Sequence, residues 1–149
     1  MLPFQKVLCP TDFSAPSEAG IAAALELARY FGATLYLVNV VPALPAPVPD
    51  RDYTFRVPEY EAALHASAHE KLERVAERLR AEGVPVESAI GHGDPGREIT
   101  RIASESAADL IVIATHGETG WRHALFGSVA EKVVRLASSP VLTVRPAKE

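Results

Sequence analysis

Apolar positions follow two spacings along this chain, short continuous runs and stretches recurring every three or four residues, and their alternation predicts strands separated by helices. Lys6 to Pro10 reads as a short apolar strand. Ser14-Ala15-Pro16 then opens a helix with a capping hydroxyl and a proline in its first turn; its apolar face is Ile21, Leu25 and Ala28, and Gly32 stops it. Thr34 to Val41 is rich in branched and aromatic residues, as strands are. Pro42 begins a proline-rich loop, 42–57, whose length suits a lid, a binding loop or a disordered excursion. A long helix follows, with Leu64, Ala68, Leu72, Val75 and Leu79 on its apolar face and Gly83 at its end. Its charges, among them Glu70, Lys71, Glu73 and Arg74, read as a solvated face.

Val84, Val86 and Ile90 alternate as a strand, and Pro85 within it marks a sheet edge because proline cannot donate to the ladder. Ile99, Ile102 and Ala103 define a further helix, and Leu110 to Ile113 a buried strand. Val129, Val133 and Leu136 space a helix over Ser128 to Ala137, and Val141 to Val144 is the last strand. Five strands separated by four helices predict an α/β fold: one doubly wound, five-stranded parallel sheet with helices on both faces, Rossmann-like in plan. Ligands of such sheets bind beyond the carboxyl ends of the strands, where strand order reverses. That rule selects two loops, Cys9-Pro10-Thr11-Asp12 after the first strand and Thr115 to Gly127 after the fourth.

The second loop, Ala114-Thr115-His116-Gly117-Glu118-Thr119-Gly120 closed by Gly127-Ser128, joins an apolar strand to a helix through glycines. Glycines let backbone amides approach an anion closely, and the first turn of a helix adds unpaired N–H groups and the positive end of its dipole. From spacing alone, a phosphate cradle and a plain strand-to-helix connection stand about equal. Asp12 likewise reads either as an acceptor for hydroxyls or as a turn carboxylate before Ser14.

At 149 residues the chain suits one domain, 1–149, with a single sizeable core. The formal charge of −4, with no run of Lys or Arg, argues against a nucleic-acid surface, while small anions need only a local site. Cys9 is the one cysteine, which excludes an internal disulfide, and it reads as a buried strand residue. Residues 1–6 lack the regions of a signal peptide, and no apolar run approaches the ~20 residues a bilayer requires. A cytoplasmic protein without membrane partners is the expectation.

Two motifs mislead. Gly91-His92-Gly93-Asp94-Pro95-Gly96 spells a dinucleotide fingerprint between strand and helix, but no acid stands at the end of the next strand to grip a ribose; Asp109 lies at its beginning. Gly127-Ser128 lacks the lysine of a P-loop, which argues against an efficient NTPase.

The motifs together resemble the universal stress protein family. Its nucleotide-binding members carry G-x2-G-x9-G-[ST] after the fourth strand, and Gly117, nine intervening residues and Gly127-Ser128 match the latter part. Ala114 stands where the motif begins with glycine, which places a methyl group where backbone would approach phosphate. The resemblance extends to Pro10-Thr11-Asp12-Phe13-Ser14, Gly93-Asp94-Pro95 and Ser139-Pro140-Val141-Leu142-Thr143-Val144, nearly the whole chain. It implies an adenine nucleotide alpha hydrolase-like fold and an adenine-nucleotide site for ATP or AMP, with Mg²⁺ arriving with ATP. Carried over by position, Asp12 takes the ribose hydroxyls; Pro10, Thr11 and Val40 shape the adenine pocket; Gly117, Gly127, Ser128 and the amide of Val129 hold phosphates. The resemblance also implies a homodimer through the final strand. His116, Arg122 and His123 flank the loop as candidate phosphate partners, Trp121 reads as a surface or lid aromatic, and the spacing of His116 and His123 imposes no metal geometry. The leading expectation is a nucleotide-binding regulatory or stress-response module. A slow ATPase and an interaction domain that has lost its ligand are the alternatives.

Overall fold

Val7, Leu8 and Cys9 are fully buried because their strand, β1 (Lys6–Pro10), lies in the middle of the sheet. The computed structural model describes residues 1–44, 57–116 and 126–147. β1 pairs in parallel with β2 (Thr34–Val41) on one side and β4 (Leu110–Ala114) on the other. β3 (Val86–His92) and β5 (Val141–Val144) form the two edges, giving the order β3-β2-β1-β4-β5 with every pairing parallel. Between them run α1 (Ala15–Phe31), α2 (Val57–Arg80), α3 (Pro95–Glu105) and α4 (Ser128–Leu136). The doubly wound expectation holds.

Strand alternation sorts the core into two layers. Val7, Cys9, Leu35, Leu37 and Val112 face α1 and α2, whereas Leu8, Val38, Ile111 and Ile113 face α3 and α4. Both faces are covered, so the middle strands read as unbroken apolar runs.

Helix starts and stops follow the local chemistry. Ser14 caps α1 with its hydroxyl on the amide of Ser17, and Gly32 ends the helix at φ 65°. Asp94 caps α3 by accepting from the amide of Arg97 at 3.0 Å, with Pro95 in the first turn.

Three expectations about packing change. The buried line of each helix runs through alanines: Ala24 in α1, Ala76 in α2 and Ala130 in α4 are all within 2% of full burial. These methyl groups sit beside the larger buried side chains of Ile21, Leu72, Leu79 and Val133, which lie on the expected faces. Leu25, Leu64 and Val75, expected on the same faces, are half-buried, and Leu136, expected on the buried face of α4, is 46% exposed. Pro85 does mark an edge strand, but it stands before the ladder rather than inside it. The chain turns at Gly83 (φ 86°), the Pro85 carbonyl accepts from the amide of Leu35 at 2.9 Å, and β3 begins one residue later. Of the proline-rich loop, residues 42–44 are described and Val57 already belongs to α2; 45–56 lie outside the described residues.

The base of the sheet is tied by Asp109, whose carboxylate accepts from the amides of Gln5 at 2.6 Å and Lys6 at 2.8 Å. Its own amide donates to the Lys6 carbonyl at 2.9 Å. The acid that fails the dinucleotide fingerprint thus fastens the entry of β4 to the entry of β1.

Candidate functional site

Strand order reverses between β1 and β4, and a cleft of about 290 Å³ opens there, beyond their carboxyl ends. Pro10, Thr11 and Asp12 enter it from the end of β1, and Val40 from β2. Ala114 and His116 come from the end of β4, and Gly127, Ser128 and Val129 from the start of α4. The described ends of the second loop, Thr115-His116 and Gly127, line the same cleft as the first loop. Gly117, together with Glu118, Trp121, Arg122 and His123, lies outside the described residues.

The first loop is held by its own polar groups. Thr11 is 5% exposed; its amide donates to the Val38 carbonyl at 2.8 Å. Its hydroxyl accepts from the amide of Phe13 at 3.0 Å and shares a 3.1 Å hydrogen bond with the Ser17 hydroxyl. Thr11 therefore faces α1 with a committed hydroxyl and offers the cleft its wall rather than a donor. Phe13 sits at φ 64°, a left-handed conformation costly for an aromatic residue and sustained here by the bond to Thr11. Asp12, exposed at the cleft, accepts from the amide of Ser14 at 3.0 Å and from the Ser14 hydroxyl. The turn reading of Asp12 is seen directly, and the carboxylate that makes these bonds also lines the cleft.

Asn39 was not singled out by sequence reasoning. It is 7% exposed, lines the cleft, and donates through its side-chain nitrogen to the Thr11 carbonyl at 2.8 Å. An amide buried at the end of an apolar strand needs a partner, and this bond fixes the loop that carries Asp12 to β2. The signal was available: Asn39 is the one polar residue between Leu35 and Val41 apart from the tyrosine hydroxyl of Tyr36. Pro95 and Ile99 also line the cleft, brought there by the Gly93-Asp94-Pro95 turn.

The start of α4 differs from those of α1 and α3. Gly127 caps it without a side-chain hydrogen bond, at extended φ −69° and ψ 161°, while its amide donates to the Thr115 carbonyl. Ser128, Val129 and Ala130 follow along the cleft wall. Where Ser14 and Asp94 satisfy first-turn amides of their helices, the glycine cap of α4 has no side chain to do so, and the positive end of the helix dipole stands at the cleft wall. Across from them, Pro10, Val38, Val40 and Ile99 form an apolar wall. The arrangement suits a ligand with a flat apolar part, hydroxyls and an anionic end.

Ala114 lines the cleft, yet its methyl group lies on the α1 side of the sheet: a Cβ built on Gly20 would stand 3.7 Å from it and 3.2 Å from the Ala114 nitrogen. The thiol of Cys9 is fully buried, and that burial pushes it up to about 12, out of the range of a nucleophile at neutral pH. The hydroxyl of Thr115 and Nδ1 of His116 are 2.9 Å apart. Among the described residues no group of three or more metal-ligating side chains assembles, and no helix is long and apolar enough to cross a membrane.

The dinucleotide-like run has a structural explanation. Gly93 takes φ 112°, and a Cβ on Gly96 would fall 2.6 to 2.8 Å from the side-chain carbons of Lys132. These glycines serve a turn and a helix contact.

The model of the Universal stress protein family matches residues 3–145. Universal stress protein MJ0531 of Methanocaldococcus jannaschii is 33% identical over 98% of this chain and 85% of its own length. The solved structure of MJ0577, from the same organism, superposes with a TM-score of 0.81 at 28% identity, covering 98% of this chain and 99% of the other. A universal stress protein crystallised in complex with cAMP superposes at 0.63 with 25% identity, covering 95% and 97% of the two chains.

Proposed function

Because the chain belongs to the universal stress protein family, we propose that it binds an adenine nucleotide, ATP or AMP, in the cleft between β1 and β4 and acts as a regulatory or stress-response module. The observation that carries this reading is the side-chain-free cap of α4 facing Asp12 across one cleft. A carboxylate suits ribose hydroxyls and repels phosphate, while first-turn amides and the Ser128 hydroxyl suit phosphate. The two ends are thus specified by opposite electrostatics. The apolar wall of Pro10, Val38, Val40 and Ile99 suits the base. The methyl group of Ala114 is directed toward Gly20, on the α1 side of the sheet and away from α4, which favours a binder over an emptied scaffold. The cAMP complex of a structural relative supports the same ligand class.

Mg²⁺ is read as arriving with ATP. The chain has no P-loop lysine, so any hydrolysis is slow and binding is the purpose. Its place is read as the cytoplasm, as a homodimer through β5, whose open edge carries Leu142 at 42% exposure.

Calorimetric titration with ATP and Mg²⁺, and with AMP, tests the site. Saturable binding is expected, strongly weakened by Gly127→Val, whose side chain would crowd the approach to the amides. No heat and no thermal shift at millimolar nucleotide would overturn the reading.

A further inference from the structure

Away from the cleft, α2 and the edge strand β3 bring two histidines together. Nδ1 of His65 and Nε2 of His92 are 3.1 Å apart, with ring centroids 5.1 Å apart and planes within 15°. Both residues are exposed. Each is carried by regular structure: His92 pairs with Val41 in the sheet ladder, and His65 lies one turn before the buried Ala68 of α2. The spacing is therefore set by how the helix packs on the strand.

We propose that His65 and His92 form a two-nitrogen site for a borderline divalent cation, Zn²⁺, Ni²⁺ or Cu²⁺. Imidazole nitrogens bind such ions at about 2.0–2.1 Å, and two of them at angles between square and tetrahedral stand about 2.9–3.4 Å apart. The pair already has that separation. In the metal-free protein one ring nitrogen donates its hydrogen to the other. When the ion enters, that hydrogen moves to the second nitrogen of the same ring, so two neutral imidazoles become two donors and no proton is lost overall. Water completes the coordination, because among the described residues no group of three ligating side chains assembles. Two rather than four protein ligands make this a reversible site on the surface, unlike a structural zinc centre. The bound ion would clamp α2 to β3, which raises the unfolding temperature progressively, with the logarithm of the metal concentration once that exceeds the dissociation constant.

The alternative pair is His65 with His69, one turn apart on α2, and the test separates the two. Untagged protein is titrated with Zn²⁺ and with Ni²⁺ by calorimetry, and its unfolding temperature is followed in parallel. One ion per chain is expected, with at least a tenfold loss of affinity in both His65→Ala and His92→Ala and no such loss in His69→Gln. Metal-free unfolding temperatures of the variants establish that each is folded. Absence of binding at millimolar metal, or binding that survives His92→Ala, or binding lost in His69→Gln, would overturn the proposal.

Discussion

Gly20 of α1 and Ala114 of β4 meet so closely that a Cβ added to the glycine would lie 3.2 Å from the alanine nitrogen. The helix following one strand at the switch point thus rests on the backbone of the other. Gly20→Ala sets a gain in helix propensity of about 1 kcal/mol against that contact. Gly20→Val adds branches that the contact cannot take, and overpacking of this kind costs about 1–3 kcal/mol. The expected outcome is a small change in urea midpoint for alanine and a clear loss for valine. Since Ala114 lines the cleft, nucleotide affinity should fall in the valine variant as well, measured under conditions where it remains folded.

Gly96 gives a second, independent probe of close packing. A methyl group there would fall 2.8 Å from Cβ of Lys132 and 2.6 Å from its Cδ. Gly96→Ala should destabilise by about 1–3 kcal/mol through forced separation of α3 and α4. Lys132→Ala in the same chain should restore only part of this, because its Cβ remains. Full restoration in a double-mutant cycle would mean the flexible end of the lysine carries the whole clash.

Cys9 is expected to resist thiol reagents. Burial holds its thiol at about 12, so at pH 8 it is protonated as well as enclosed. Ellman's reagent should label native protein only as fast as it opens, and labelling should rise sharply through the urea transition. Stoichiometric reaction within seconds in native buffer would contradict the buried placement.

Acid should remove stabilisation at identifiable carboxylates. The Ser88 hydroxyl, 2.6 Å away, and then Arg80 hold Glu73 below the ordinary glutamate range; Lys132, at 2.8 Å, and then the Arg97 amide hold Asp94 below the aspartate range; Arg101 does the same for Glu98. A depressed carboxylate releases its proton more readily in the folded chain. Its contribution is therefore full above its unfolded value, about 4 for these groups, and is lost as pH falls through the folded value. Urea midpoints should decline from pH 5 to pH 3, and less steeply in Glu73→Gln and Asp94→Asn. Identical slopes in the wild type and both variants would remove these pairs from the account.

The proposed dimer through β5 is testable at Leu142. Val141 and Val144 each lean on one of the two cores, so lysine at either would disturb folding as well as association. Leu142, on the same edge strand, is 42% exposed, and Leu142→Lys should shift the molecule toward monomer in light scattering across a dilution series while its unfolding temperature changes little. A native monomer at tens of micromolar, or a dimer untouched by this lysine, would refute β5 as the seam.

Fold and site were legible in the sequence to different depths. Element order came from spacing alone, because alternation of apolar runs with helical repeats follows directly from burial. Which residue of a helix touches the sheet did not, since Ala130 and Leu136 are both apolar and only the packing distance distinguishes them. That Pro10, Asp12, Gly127 and Ser128 line one cleft could be read because turn and cap chemistry is local. Asn39 and Ser17 could not be assigned in the same way: their partner is Thr11, and bonds between separate segments leave little trace in spacing.

Asp109 has a consequence for the order in which the chain is made. Its bonds to Gln5 and Lys6 span more than a hundred residues, and the central strand of the sheet waits that long for its second neighbour. A ribosome that has released the first three strands has released segments in which β1, the middle strand of the finished sheet, still lacks its second neighbour and would stand at the border. Arrival of β4 seals that border from the inside. Until β4 pairs with it that border is open to wrong partners, and the carboxylate of Asp109 then fastens the entry of the one strand to the entry of the other.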